Sequence, residues 1–479
     1  MLFNSYIFIF AFLPVTVLIY FVLNRMRLSY AAKVWLALAS LFFYGWWDVK
    51  YVPLILGSIA FNYLIGRLLM RRSAEDNDDT DGQATYLNEK AVGKRRLLLT
   101  FGIVGNVGLL IYYKYADFFI TNINDLTGTT FSLLKLVLPL GISFFTFTQI
   151  AFLVDAFKRK AREANIVNYV LFVTFYPHLI AGPILHHSEM MPQFDRLRSK
   201  IWNWTNASRG IYVFCLGLFK KVVIADSFAG YANDGFTNAT KFVDSWIASL
   251  SYTFQLYFDF SGYTDMAIGA ALLFNIRLPQ NFNSPYKALN IQDFWRRWHM
   301  TLSRFLRDYI YIPLGGNRKG EARMLANQMV VFIVGGLWHG AGWTFLIWGF
   351  MHGVGTVIHK LWTKLGIRMP KWVAWFITFI FINVTWVFFR ATNYDQAERI
   401  LKGMFGMSGL MPQMASLKLL LPAVLMIIVF FPIAVFARNS SERMNALKPN
   451  WKTGVAIAFL FIVSLLYFNR ISEFLYFNF

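Results

Sequence analysis

An all-α integral membrane protein is the fold class this sequence predicts, on three observations. Of 479 residues, 57% are hydrophobic and 19% aromatic, while 15% are charged; a soluble domain carries nearer a quarter charged. The apolar residues gather into runs able to cross roughly 30 Å of hydrocarbon, and the cations fall in short loops between them. The formal charge of +21, from 46 Lys and Arg against 25 Asp and Glu, therefore reads as the positive-inside bias of a membrane protein and not as a nucleic-acid surface. Cys215 is the one cysteine and lies in an apolar run, which excludes a disulfide framework and a Cys-based metal cluster.

Taken in order, the first run, 5–23, is apolar from the second residue of the chain. It has no basic n-region and no small-residue cleavage site before Arg25, Arg27 and Lys33, so it is expected to be a retained helix. Further spans are expected near 33–47, the shortest, and near 51–70, 97–113, 136–155, 209–226, 245–275, 371–390, 417–437 and 453–468. Basic clusters follow the first, third and fifth runs (Arg71, Arg72 and Lys94 to Arg96 after the third; Lys158, Arg159, Lys160 and Arg162 after the fifth). Lys360 to Lys371 and Arg438 to Lys452 precede later spans. Every second loop is then cytoplasmic, both termini face outside, and the number of crossings is even. The 73–96 loop carries SAEDNDDTDG, with Glu75, Asp76, Asp78, Asp79 and Asp81, and reads as a solvated cytoplasmic stretch.

Two apolar stretches misfit as single crossings. Residues 166–184 contain Pro177, Gly182 and Pro183, and a crossing there would put Arg196, Arg198 and Lys200 outside, so the segment is expected to be re-entrant. Residues 327–359 have basic segments at both ends and Gly335, Gly336, Gly340 and Gly342 in the middle, the pattern of a re-entrant hairpin. Non-helical backbone at membrane depth must be surrounded by protein or a wet cavity, which predicts one polytopic domain over 1–479 with a multi-span helical cradle around the hairpin.

His339 is the first candidate for chemistry. It lies twelve residues after Asn327, about 18 Å along a helix and so near the bilayer midplane, where an ionisable group is a functional hypothesis by default. In GGLWHGAGW the glycines allow a ligand or another chain to approach, and Trp338 and Trp343 can wall a slot; the bland alternative is a histidine bonded to a facing helix. The cytoplasmic basic segment 291–325 contains DFWRRWHMTLSRFLRDYIYIPLGGNRKG, residues 293–320. Wound as one helix, Arg296, Arg297, Arg304 and Arg307 share one face, opposite Trp295, Trp298, Leu302, Phe305 and Leu306. This predicts a cytoplasmic amphipathic helix, with His299 at the edge of its apolar face. The arginine stripe fits lipid headgroups, and Arg318 and Lys319 in the glycine turn fit a phosphate held by backbone amides and charge. In YTFQLYFDFSGYTDMAIGAALLFN, Asp259, Ser261, Gly262 and Asp265 are expected to form an unwound polar centre that supports His339 or the arginine helix, with an arginine or histidine as partner. His178, His186 and His187 show no ligand spacing, which disfavours a metal.

The motifs FWRRWH, LRDYIYIPLGGNRKG, GLWHGAGWTFLIWG, LYFDFSGYTDMAIG, PHLIAGPI and FLYFNF together resemble the membrane-bound O-acyltransferase family, in its bacterial alginate O-acetyltransferase-like branch. The resemblance runs from residue 1 to 479. It implies a cradle of tilted helices, a cytoplasmic funnel for acetyl-CoA as acyl donor, and an extracytoplasmic opening for the acceptor. It places the family's invariant histidine at His339 and its second histidine at His299. The expected function is transfer of an acetyl group across a bacterial inner membrane for O-acetylation of an exported polysaccharide, with a periplasmic esterase-like acetyltransferase as partner and no nucleic acid, metal or tightly bound cofactor. In this reading His339 is the general base, and Arg296, Arg297, Arg304, Arg307, Arg318 and Lys319 hold the donor's phosphates. D-alanyl transfer to teichoic acid from a carrier thioester, and transport of an anion, are the alternatives. The terminal ISEFLYFNF is either an aromatic interfacial anchor or a tail that turns back and presents Tyr476 as a transient acyl acceptor.

Overall fold

The computed structural model describes residues 1–75, 84–469 and 475, and the side chains of 72–91 and 415–416 are not among those described. Every regular element among the described residues is helical, as lipid demands, because each backbone N–H must find its acceptor within its own segment. Among the described residues, five stretches are long and apolar enough to cross a membrane: Phe8–Arg25, Val49–Arg71, Val92–Thr127, Lys371–Arg390 and Leu417–Phe436. The chain divides into two compact units, Met1–Ile211 with Ala267–Pro279, and Tyr212–Met266 with Gln280–Phe479.

The first unit contains α1 (Leu13–Arg25), α2 (Ser29–Gly45), α3 (Val52–Glu75), α4 (Ala84–Leu110), α5 (Ala116–Thr127), α6 (Ile142–Phe157), α7 (Ile166–Thr174), α8 (Tyr176–Leu179) and α9 (His187–Asp195). Helices α3, α4 and α6 pack on one another, and α2 packs on α1 and α7. Asn62 and Asn106 exchange amide hydrogen bonds of 3.1 and 2.6 Å between α3 and α4, the interhelical polar contact that replaces water in lipid. The expected 136–155 span is helical only from Ile142, since Pro139 and the left-handed Gly141 (φ 69°) precede it. The nine residues of α7 reach about 14 Å, and the chain breaks at Phe175 before Pro177, so 166–184 is not a single crossing helix. His186 and His187 bind Asp155 and Glu163 at 3.0 and 3.1 Å, and His178 lies 3.0 Å from the carbonyl of Phe172. Each histidine has its own structural partner, and the described residues contain no cluster of three or more metal-ligating side chains.

The second unit takes up the chain within α10 (Trp204–Phe219), which continues through a π-helical turn, Lys220–Ala225, into α11 (Asp226–Asn238). Next comes α12 (Phe242–Leu273), whose last residues belong to the first unit. Then follow α13 (Ile291–Trp295), α14 (Met300–Leu306), α15 (Glu321–His339), α16 (Trp343–Leu365), α17 (Lys371–Arg390), α18 (Tyr394–Met404), α19 (Met414–Phe436), α20 (Ser440–Asn445) and α21 (Trp451–Leu466). Asparagine side chains start several of these, Asn290, Asn393, Asn439 and Asn450 each accepting a first-turn backbone N–H. Helix α16 packs along α15 and against α13 and α17.

Two sequence expectations change here. Helix α12 is continuous through Asp259 and Asp265 and not unwound, because side chains of another helix satisfy its carboxylates while its backbone bonds stay intact. The 293–320 segment is not one helix: α13 ends at Trp295, and α14 starts at Met300 and runs on through a π-helical turn, Arg307–Tyr311. The chain breaks at His299, a non-glycine residue in the left-handed region with φ 42°. The amphipathic pattern survives the break: Trp295, Trp298, Leu302, Phe305 and Leu306 are all buried, while Arg296 and Arg307 are exposed.

Candidate active site

His339 closes α15 at the tip of a tight helical hairpin. A Cβ on Gly336 would lie 2.4 Å from the carbonyl oxygen of Phe345, and one on Gly349 2.4 Å from that of Phe332. Backbone therefore meets backbone between α15 and α16, so of the two approaches the glycines allow, a ligand or another stretch of chain, Gly336 serves the partner helix. The chain turns over Gly340 to Gly342 and re-enters helix at Trp343. His339, 2% exposed, is ringed by Trp338, Phe389 and Trp348, with centroids at 4.8, 5.0 and 5.1 Å. Trp343, expected to wall the same slot, is 59% exposed; Trp348, one turn further along α16, takes that place.

His299 stands beside it, ring centroids 6.5 Å apart. One oxygen, about 2.8 Å from a nitrogen of each ring, is the size of group that spans such a gap. The break at His299 is held by loop 280–284, through Met300 N–H to the Asn281 carbonyl (3.0 Å) and Asn283 N–H to the Arg297 carbonyl (2.9 Å). Phe260 of α12 packs edge-on against the imidazole at 4.8 Å.

The proton on His299 can be assigned from its partner. Asn281 Oδ1 lies 3.2 Å from His299 Nδ1, 3.1 Å from Thr301 N and 3.0 Å from Thr301 Oγ1. A backbone N–H only donates, so the Asn281 atom is the amide oxygen and Nδ1 must carry the hydrogen. In the neutral ring, Nε2 is then a bare acceptor, fully buried and without a hydrogen-bond partner. Burial holds the ring in that form, pushing its pKa down to about 3. An imidazole locked on one side by an amide and open on the other is suited to take a proton or to face a cation.

Asp259 and Asp265 do not reach either histidine. Lys221 Nζ lies 2.6 Å from Asp259 and 2.7 Å from Asp226, and Lys220 Nζ lies 2.7 Å from Asp265 and 2.6 Å from Ser440 Oγ. The partners are lysines, where an arginine or histidine was expected. The approach of α10 to α12 allows this, since a Cβ on Gly262 would sit 2.7 Å from the Gly217 carbonyl oxygen. Ser261 is buried on the same helix. Tyr476, the candidate relay, lies outside the described residues.

The expected phosphate cations are spread along the 293–320 surface, and some already have partners. Arg297 pairs with Asp293 at 3.0 Å and Arg307 with Asp308 at 2.7 Å, whereas Arg296, Arg318 and Lys319 are exposed. In the glycine turn the N–H groups of Gly315, Gly316 and Arg318 donate to Ile312, Tyr311 and Gly315 carbonyls. An anion there would be held by side-chain charge more than by those amides. The sequence reading missed Asn281, Lys220, Lys221 and His352. His352 is wholly buried, accepts Trp295 Nε1–H at 3.1 Å and packs on Trp348 at 4.6 Å; its spacing of four from Trp348 was the available signal.

Residues 97–394 match the model of the membrane-bound O-acyltransferase family. Over 535 aligned residues the chain is 45% identical to the peptidoglycan O-acetyltransferase of Helicobacter pylori, covering 100% of this chain and 98% of that protein. It is 36% identical to the probable alginate O-acetylase AlgI of Pseudomonas putida, with 100% of both covered. Similarity to the teichoic acid D-alanyltransferase of Bacillus subtilis is 29%, over 50% of this chain and 63% of that one.

Proposed function

The chain belongs to the membrane-bound O-acyltransferase family, and on that premise we propose that it takes an acetyl group from cytoplasmic acetyl-CoA and delivers it across a bacterial inner membrane for O-acetylation of an exported polysaccharide. Membership of an acyltransferase family sets the transporter reading aside. The observation that carries the proposal is the buried imidazole pair, His339 at the hairpin tip and His299 with Nε2 bare, 6.5 Å apart. D-alanyl transfer has less support, since that relative aligns with only half of this chain.

In the proposed reaction His339 removes the proton from the acceptor hydroxyl as its oxygen attacks the thioester carbon. The tetrahedral intermediate collapses, the carbon–sulfur bond breaks, and the thiolate takes the proton back from the His339 imidazolium. His299 turns a lone pair toward that transient cation and stabilises it without itself being charged. Trp338, Trp348 and Phe389 keep water away, which strengthens these interactions. Arg296, Arg297, Arg304, Arg307, Arg318 and Lys319 are the proposed partners of the donor's phosphates. Asp259, Ser261 and Asp265 support the fold around the pair. Both termini are proposed to face the periplasm, where an esterase-like acetyltransferase would receive the group.

The test is His339→Ala in purified protein supplied with acetyl-CoA. Thiol release and polymer acetylation should both vanish while the melting temperature holds; retained thiol release would remove His339 from the mechanism. Carrier-bound D-alanine as the sole productive donor would favour the second reading. Tyr476→Phe keeps the ring and removes only the oxygen, so lost acetylation at normal protein level would support an acyl relay through that hydroxyl, and unchanged activity would leave it an anchor.

A further inference from the structure

A second basic site lies in the first unit, on elements that carry neither His299 nor His339. It is an open cavity of about 980 Å³ between the end of α3 and the loop from α6 to α7. Four guanidinium side chains line it, Arg67, Arg71, Arg159 and Arg162, together with an apolar wall that includes Leu64 and Leu68. Glu163 is the one acid in that lining among the described residues. Its carboxylate is already engaged by His187 and by the N–H of Asn165, at 3.1 and 2.8 Å, so the described lining sets four arginines against one acid that is already hydrogen-bonded.

The rim is built and not merely crowded. Tyr63 donates to the Ala164 carbonyl at 2.6 Å, and the Glu163 N–H points at the Met70 sulfur at 3.3 Å, tying loop to helix. Arg67 is steadied over the Tyr63 ring, 5.9 Å from its centroid. Helix α6 ends with Lys160 and Ala161 N–H both donating to the Asp155 carbonyl, which leaves Arg159 in the left-handed region at φ 61°. That position ordinarily takes glycine, and here it turns an arginine toward the cavity.

We propose that this cavity binds the phosphate headgroup of an anionic phospholipid of the cytoplasmic leaflet. The third and fifth runs both end in basic loops, which the positive-inside bias puts on the cytoplasmic side, at headgroup depth. Basic pockets between membrane helices on that side recognise anionic headgroups. The apolar half of the site selects a lipid over a soluble phosphate. Leu64 and Leu68, 61% and 45% exposed, lie one helical turn apart on α3, leading from the arginines down the span as a track for an acyl chain.

The experiment reconstitutes the full chain in phosphatidylcholine nanodiscs doped with phosphatidylglycerol, and counts retained lipid by native mass spectrometry. Wild type should retain phosphatidylglycerol in preference to phosphatidylcholine. Replacing all four arginines by glutamine should cut that retention at least ten-fold with helix content unchanged, while the four-lysine variant, which keeps the charge, should stay within about three-fold. Equal retention by wild type and the glutamine variant overturns the proposal. So does displacement of the lipid by millimolar adenosine 3′,5′-bisphosphate, which would assign the cavity to a soluble phosphate. Retention that rises only when Glu75, Asp76, Asp78, Asp79 and Asp81 are neutralised would make the chain's own acidic stretch the occupant, and overturns it too.

Discussion

Replacing Asn281 by alanine tests whether the imidazole pair works through a fixed tautomer. One oxygen, Asn281 Oδ1, accepts from His299 Nδ1, Thr301 N and Thr301 Oγ1 at 3.0 to 3.2 Å, and those residues are 0% and 3% exposed. Alanine leaves three buried donors without that acceptor. A buried donor left unmade costs about 1–3 kcal/mol; the threonine hydroxyl can rotate, so two orphans remain and the fold should lose about 2–6 kcal/mol. Catalysis should suffer separately, because the ring is no longer held with Nε2 bare, and losing a partner that orients a working histidine costs about 10- to 100-fold. Thiol release from acetyl-CoA in detergent, measured beside the melting temperature, gives both numbers. Asn281→Asp restores an acceptor and should recover stability over alanine, yet its charge favours the imidazolium and should move the acid limb of the pH–rate profile upward. An alanine variant that melts like wild type and works within two-fold of it would refute the assignment.

Lys221→Met strands the carboxylates of Asp226 and Asp259, paired at 2.7 and 2.6 Å. It should lower stability by about 3–5 kcal/mol, as breaking a buried pair does, with Lys221→Met/Asp259→Asn recovering part of the loss in thermal melts. Gly349→Ala places a Cβ 2.4 Å from the Phe332 carbonyl and should open the hairpin and abolish thiol release. Gly342→Ala, extended at φ −169° and with its nearest neighbour at 3.6 Å, should stay within two-fold of wild type. Acid should weaken the fold through His299, neutral when folded with its pKa down at about 3. The unfolded ring protonates near 6.5, so stability falls as pH drops below that value, by about 1.4 kcal/mol per unit for one proton, and levels off near the folded pKa. His299→Gln should flatten the slope by that amount, and equal slopes would show that another group is responsible.

The hairpin over 327–359 and the ring-lined His339 were legible in the sequence because each leaves a local trace: paired glycines, aromatics within ten residues. What escaped was long-range or conformational. Asn281 meets His299 and Thr301 across 18 and 20 residues, from a loop with no periodicity. Lys220 and Lys221 sit in KKVVIA, an apolar stretch whose partners on α12 only packing reveals. The break at His299 has no compositional sign, since a non-glycine residue at φ 42° is imposed by its tertiary contacts. The glycines of GGLWHGAGW left two readings open, because a small residue looks the same whether it admits a ligand or a neighbouring backbone, and at Gly336 packing decides for the backbone.

On the proposed function, an enzyme that joins a donor from one face of an energised membrane to an acceptor on the other would risk becoming a proton leak. A histidine with both ring nitrogens free is a ready wire: it gains a proton at one nitrogen, loses one at the other, and resets by tautomer exchange. Asn281 denies His299 that second contact, since its oxygen also holds the backbone N–H of Thr301 and can only accept. Any proton this ring gains at Nε2 must depart from Nε2. On the proposed function, the ring would serve the chemistry beside His339 while passing no current through itself.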